Sequence, residues 1–214
     1  MSTALLIAGF SEQLVRACVS EGQRKGFDIL AALPISSSLA EFADPAVTAI
    51  TWTPRSAISA KSLVLKAYNR SQNLSEALLV VEIPQVSRAF HEASYSDLDQ
   101  MIDTYVKGPV FLARELLGTF VERGRGGLSV VIRSSGYEAS PMARSLQAAL
   151  ESLFDSILNL YQRETVVLRG FLAGGEEEAE IARQVLEELA SPDRKPQKKF
   201  RRLGGKSGLF PGRK

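Results

Sequence analysis

The stretch TALLIAGFSEQLVRA, Thr3 to Ala17, reads as an apolar strand that turns directly into a helix. Such a turn aims backbone N–H groups and the positive end of a helix at the space beyond the strand, which suits a nucleotide phosphate. Gly9 is the candidate for close backbone approach, and Ser11 is the candidate cap of the helix. Glu12 complicates the site, because its carboxylate competes with a phosphate for the same helix end.

Other residues with chemical potential carry weaker patterns. Gly204 to Gly208, GGKSG, holds the Gly-Lys-Ser end of a phosphate loop, but Phe200 stands where the earlier glycine belongs and too few residues remain for a helix. His91 is the only histidine and has no acidic cluster at ligand spacing, so an exposed loop position is expected and no metal. Glu176 to Glu178 suit a helix start. The lone Cys18 excludes an internal disulfide and a cysteine-built zinc site, fits a reducing cytoplasm, and falls on a core-facing helix position.

The elements that must position these residues alternate. Ala4–Ala8, Ile29–Leu33, Val47–Thr51, Leu78–Ile83, Ser129–Ile132 and Val166–Leu172 are short apolar runs that predict strands. Helical spacing fills the gaps. The first helix buries Leu14, Cys18 and Gly22 and stops at Gly26 with Phe27. A central helix starts at a capping box of Ser96 and Asp99 and runs to about Arg123, with Pro109 expected to kink it and free the carbonyl of Tyr105. The next starts at Ser140–Pro141 and runs to about Arg163 with Leu146, Ala149, Leu153, Phe154, Ile157 and Tyr161 on one stripe. A last helix covers 176–190. Strands alternating with helices imply a parallel, doubly wound sheet with helices on both faces. Ligands then sit beyond the carboxyl ends of the strands, at the loops after Ala8, Leu33, Ile83 and Ile132.

Charge divides the chain of 214 residues. Of the 26 Lys and Arg, nine lie from Pro192 onward, and of the 24 Asp and Glu only Asp193 does, so the first 191 residues carry 17 basic and 23 acidic side chains. An acidic body of 1–191 and a basic tail of 192–214 follow. Phe200 gives the tail little stacking capacity, so nucleic acid is not the expected partner, although an adaptor for nucleic acid or an acidic surface is one alternative. The apolar runs are far short of the roughly 20 residues of a membrane span, and the N-terminus lacks a signal-peptide pattern, so a cytoplasmic location is expected.

From Thr3 to about Ala190 the chain resembles the short-chain dehydrogenase/reductase family. The likeness rests on SDLDQMIDTYVKGPVFLARELLGTFVERGRGGLSVVIRSSG, Ser96 to Gly136, and on AALESLFDSI, Ala148 to Ile157. It implies a single Rossmann-like domain, an NAD(P) cofactor and oxidoreductase chemistry. The functional positions depart from the family. Its glycine-rich turn, Thr-Gly-x-x-x-Gly-x-Gly, falls on Ala8, Gly9, Gln13 and Val15, leaving Gly9 and Ser11 as remnants of a cofactor site. The loop Pro34-Ile35-Ser36 has neither the acid for a ribose diol nor an arginine for a 2′-phosphate, and Asp28 begins a strand instead of ending one. Val81-Glu82-Ile83-Pro84 replaces Asn-Asn-Ala-Gly.

Ser134 or Ser135 holds the place of the catalytic serine. Ala143 falls where the tyrosine belongs, Gln147 where the lysine belongs, and Tyr105 where the asparagine belongs. A phenol with a pKa near 10 relays protons at neutral pH only beside a positive charge, which glutamine does not bring. Tyr137 is expected as a loop aromatic, with a relocated acid as the alternative.

The resulting expectation is a catalytically inactive relative with a binding, regulatory or assembly role and no cofactor; NAD or NADP is the cofactor if there is one. The alternative is an atypical NAD(P)-dependent oxidoreductase. A homodimer is expected through 96–123 and 140–163, because Phe111, Leu112, Leu116, Phe120, Phe154, Leu158 and Tyr161 offer more apolar surface than one sheet face needs; an unidentified protein partner is the other option.

Overall fold

A computed structural model describes residues 3–34, 46–84, 89–134, 140–193 and 195–204. Its strands are β1 (Ala4–Gly9), β2 (Asp28–Pro34), β3 (Val47–Trp52), β4 (Leu74–Glu82), β5 (Gly126–Arg133), β6 (Val166–Ala173) and β7 (Arg201–Arg202). They form one sheet in the order β3-β2-β1-β4-β5-β6-β7, and every pairing is parallel. The order reverses between β1 and β4. That switch point is where an open α/β sheet leaves a crevice beyond its carboxyl ends.

The helices are α1 (Glu12–Arg24), α2 (Ala57–Arg70), α3 (Tyr95–Ile102), α4 (Gly108–Glu122), α5 (Pro141–Leu160) and α6 (Glu178–Ala190). Alternate residues of β1 point to opposite faces: Ala4, Leu6 and Ala8 join the core under α2, α4 and α5, and Leu5 and Ile7 the core under α1 and α6. Both faces are covered, which is why the central strands are mostly apolar, with Glu76, Ser129 and Arg169 as buried polar exceptions.

Local chemistry sets the boundaries. Ser11 caps α1 by accepting from the Leu14 N–H, and Gly26 ends the helix region at φ +82°, where a side chain would be strained. Cys18 is fully buried, as its helix position predicts. Ser140 caps α5 by accepting from the Ala143 N–H at 3.2 Å, with Pro141 in the first turn.

Several expectations need correction. The central helix is capped by Ser94, in a capping box with Asp97, instead of Ser96 with Asp99. Both pairs have the same spacing, and the helix begins at Tyr95, two residues before a Ser96 cap would start it. Pro109 stands in the first turn of α4 directly after a π turn over Asp103–Lys107, so the disruption takes the form of a widened turn between α3 and α4. On α5 the buried seam is Ala143, Leu146, Leu150, Phe154 and Leu158; Ala149 and Leu153 are exposed. Five of the seven apolar residues assigned to a dimer face, Leu112, Leu116, Phe120, Phe154 and Leu158, are buried within the chain's own core, and Phe111 and Tyr161 are partly buried against it.

The basic segment after Ser191 is structured as far as residue 204, apart from residue 194, which is not described. The Gln197 N–H donates to the Leu168 carbonyl at 2.9 Å, its side-chain oxygen accepts from the Gly170 N–H at 2.9 Å, and the Leu203 N–H donates to the Leu172 carbonyl at 2.8 Å. This strap covers the edge of β6 that would otherwise present unpaired backbone groups.

Candidate functional site

The carboxyl ends of β4, β5 and β6 open into a cleft of about 880 Å³. Its walls come from separate elements: Gln13 of α1, Glu82 of β4, Arg133 and Ser134 at the end of β5, Arg144, Gln147 and Glu151 of α5, the loop Gly174 to Glu176, Glu178 of α6, and Arg202 of β7. Only the topology brings them together, since the loops that follow parallel strands all emerge at the same end of the sheet.

Arg133 organises the floor. It pairs in register with Glu82 on the adjacent strand, with a 3.5 Å ion pair, and reaches Glu178 at the start of α6 at 2.6 Å. Hydrogen bonds from the start of α6 and from Arg133 hold the Glu178 carboxyl below its usual range. Gln147 donates from its amide to Glu151 at 2.7 Å, one turn along the same helix. Glu176 accepts from the Gly174 N–H at 2.5 Å.

Of the sequence-predicted residues, Ser134 and Gln147 line the cleft, and the Ser134 N–H is held by the Ala173 carbonyl at 2.7 Å. Ala143 does not line it: it is fully buried under the sheet, and the cleft-facing positions of α5 are Arg144, Gln147, Ala148 and Glu151. Ser135, Tyr137, the positions Ile35 and Ser36, and the segment 205–208 lie outside the described residues. Asp28 stands at the opposite end of β2 and accepts from the Ser71 hydroxyl at 3.3 Å. His91 is in an exposed 3₁₀ turn, and among the described residues no group of three or more His, Cys, Asp or Glu is placed to hold a metal ion.

The turn between β1 and α1 is tight. A Cβ on Gly9 would lie 2.7 Å from Val15 Cγ2 and 2.8 Å from the Val80 carbonyl oxygen, so Val15 fills the seam between β1 and α1. Gln13 is exposed at the cleft mouth, and the Ser11 hydroxyl serves as the cap. Beside this turn, at the switch point, Phe10 packs against Trp52 with ring centroids 5.7 Å apart and against Tyr105 at 5.6 Å. Burial raises the Tyr105 phenol above its ordinary pKa, and the Glu82 carboxylate raises it further.

No protein-family model matches the sequence, and no curated protein does. Solved structures match closely in backbone: 3-ketoacyl-(acyl-carrier-protein) reductase from Brucella melitensis, complexed with NADH, has a TM-score of 0.82 over 94% of this chain and 97% of that one, at 10% identity. The fold is that of the short-chain dehydrogenases. The backbone is also similar to that of serine dehydrogenase from Escherichia coli, with a TM-score of 0.80, 16% identity and coverage of 94% of this chain and 97% of that one. It is similar as well to that of a short-chain dehydrogenase from Streptomyces avermitilis, with a TM-score of 0.77, 18% identity and coverage of 95% and 89%. Among the described residues no helix is long and apolar enough to cross a membrane.

Sequence reading missed Arg133, Arg144, Arg202, Glu82, Glu151 and Glu178 as site residues. A signal existed for two of them: Glu82 and Arg133 each end an apolar strand with a charge, at the end of the sheet where ligands bind.

Proposed function

We propose that this protein binds a small polar ligand in the cleft of a short-chain dehydrogenase fold and does not carry out NAD(P)-dependent oxidoreduction. One observation carries the reading. The cleft side of α5 holds Arg144, Gln147, Ala148 and Glu151, so no phenol and ammonium stand one turn apart on the helix where a proton relay would be built. Tyr105 does not replace the phenol: it packs against Phe10 at the switch point and is not among the residues that line the cleft, and burial moves its pKa up. Val15 in the β1–α1 seam and the rings at the switch point reduce the room for a dinucleotide. The test is turnover of NAD(P)H or NAD(P)⁺ with a panel of carbonyl compounds and alcohols, which is expected to stay at background. Turnover that falls in Ser134→Ala would overturn the reading.

An atypical NAD(P)-dependent oxidoreductase is the second reading, favoured by the meeting of Ser134 and Gln147 in a single cleft at the carboxyl ends of the strands. For assembly, the reading is a homodimer in which the outer faces of α4 and α5 meet a second copy. Support comes from Val121, Leu153 and Leu160, apolar side chains left exposed on those helices or, for Leu160, at the last residue of α5.

A further inference from the structure

We infer that the cleft binds a small anion-bearing molecule, a carboxylate or a phosphate, gripped between Arg144 of α5 and Arg202 of the C-terminal strap. The inference rests on the reading of the cleft as a ligand site and names its chemistry. Four carboxylates line the cleft, and all are engaged: Glu82 and Glu178 by Arg133, Glu151 by the Gln147 amide, and Glu176 by the Gly174 N–H. Arg133 is engaged in return. Arg144 and Arg202 line the same walls, and their side chains make no ion pair or hydrogen bond with a described residue. The unused bonding capacity is therefore cationic, planar and rich in donors, and it comes from two independent elements. Guanidinium groups in that state recognise carboxylate and phosphate through paired N–H donors.

Arg202 reaches the cleft because the strap is fixed along its length. Gln162 donates to the Gln197 carbonyl at 2.6 Å, the Phe200 N–H donates to Asp155 at 3.0 Å, and the Phe200 ring covers Gly170, where a Cβ would meet it at 2.9 Å. Leu203 is buried next to it. On β7, Arg201 turns to Glu188 and the Phe171 ring on the α6 face. The neighbouring side chain of a strand points to the other face, so Arg202 lies on the face opposite Arg201 and lines the cleft that Arg144 also lines. The two-residue strand thus delivers a ligand-binding arginine, and the site is incomplete without the strap.

The test uses the full chain in chloride buffer of matched ionic strength, with thermal shift and calorimetry. One arm titrates succinate and citrate, and the other titrates inorganic phosphate and glycerol 3-phosphate. Saturable binding in at least one arm is expected, weakened tenfold or more by Arg144→Gln and by Arg202→Gln and unchanged by Arg125→Gln at the opposite end of the sheet. The arm that binds identifies the anion. Gln197→Ala, which loosens the strap without touching the cleft, is expected to weaken binding as well. Absence of saturable binding in both arms, or binding by either cleft variant as tight as that of the wild type, overturns the inference; binding unaltered by Gln197→Ala overturns the role of the strap. NADP⁺ titrated in parallel separates this from the functional reading. Binding of NADP⁺ that survives both arginine variants contradicts that reading alone, and failure of all four anions without NADP⁺ binding contradicts the inference alone.

Discussion

Val15 closes on Gly9: its Cγ2 lies 2.7 Å from the place a Cβ on Gly9 would take, and the Val80 carbonyl oxygen lies 2.8 Å from it on the other side. Gly9, read from the sequence as the remnant of a phosphate turn, is thereby required for packing. Gly9→Ala is expected to destabilise the fold by about 1–3 kcal/mol, as overpacking does. Adding Val15→Ala should recover only part of that, because the backbone oxygen remains. Urea unfolding of the single and double variants checks it; a Gly9→Ala chain as stable as the wild type would show that the seam yields.

Glu76 of β4 and Arg169 of β6 form an ion pair at 3.6 Å with both side chains almost wholly buried, and Gly127 of β5 leaves the room that the Glu76 carboxylate occupies. Removing one partner strands a charge in the core. Glu76→Ala and Arg169→Ala are each expected to cost about 3–5 kcal/mol in denaturant unfolding, and Glu76→Leu with Arg169→Met together less than the sum of the singles. Additive losses would contradict the coupling.

That pair also explains part of what the sequence hid. Strands β1, β2, β3, β5 and β6 are legible as apolar runs, but β4 reads from Leu78 because Glu76 interrupts its start, although the strand begins at Leu74. Arg169 sits inside a run that is otherwise apolar. β7 is two exposed arginines whose pairing depends on the strap, so no local pattern announces it. Ser134 and Gln147 are legible through resemblance, and both reach the cleft. Arg144 and Arg202 are 58 positions apart on different elements, and only the tertiary fold brings them to one cleft.

The Cys18 thiol is pushed up to about 12 by burial. Its folded-state pKa lies above the ordinary 9, so its contribution to stability is present below pH 9 and is lost as pH rises from there toward 12. Two outcomes are expected: no reaction of the native protein with a thiol reagent at neutral pH, and a steeper loss of stability above pH 9 in the wild type than in Cys18→Ala. Rapid modification of the folded chain would contradict the burial.

Assembly is tested on the outer helix faces. Leu153→Lys and Leu160→Lys are expected to shift a dimer toward monomer with the unfolding transition retained, read by light scattering across a concentration series. Charges at Phe120 or Leu158 should instead unfold the chain, because both side chains are buried within one subunit. A monomer at high concentration, or a dimer indifferent to both lysines, would contradict the dimer.

On the function proposed above, the dehydrogenase fold holds a ligand cleft without a working dinucleotide site. Calorimetric titration of the full chain with NAD⁺, NADH, NADP⁺ and NADPH tests it most directly. The account predicts no binding at sub-millimolar concentration for any of the four. Micromolar binding that is lost when the turn at Gly9 is blocked would contradict it.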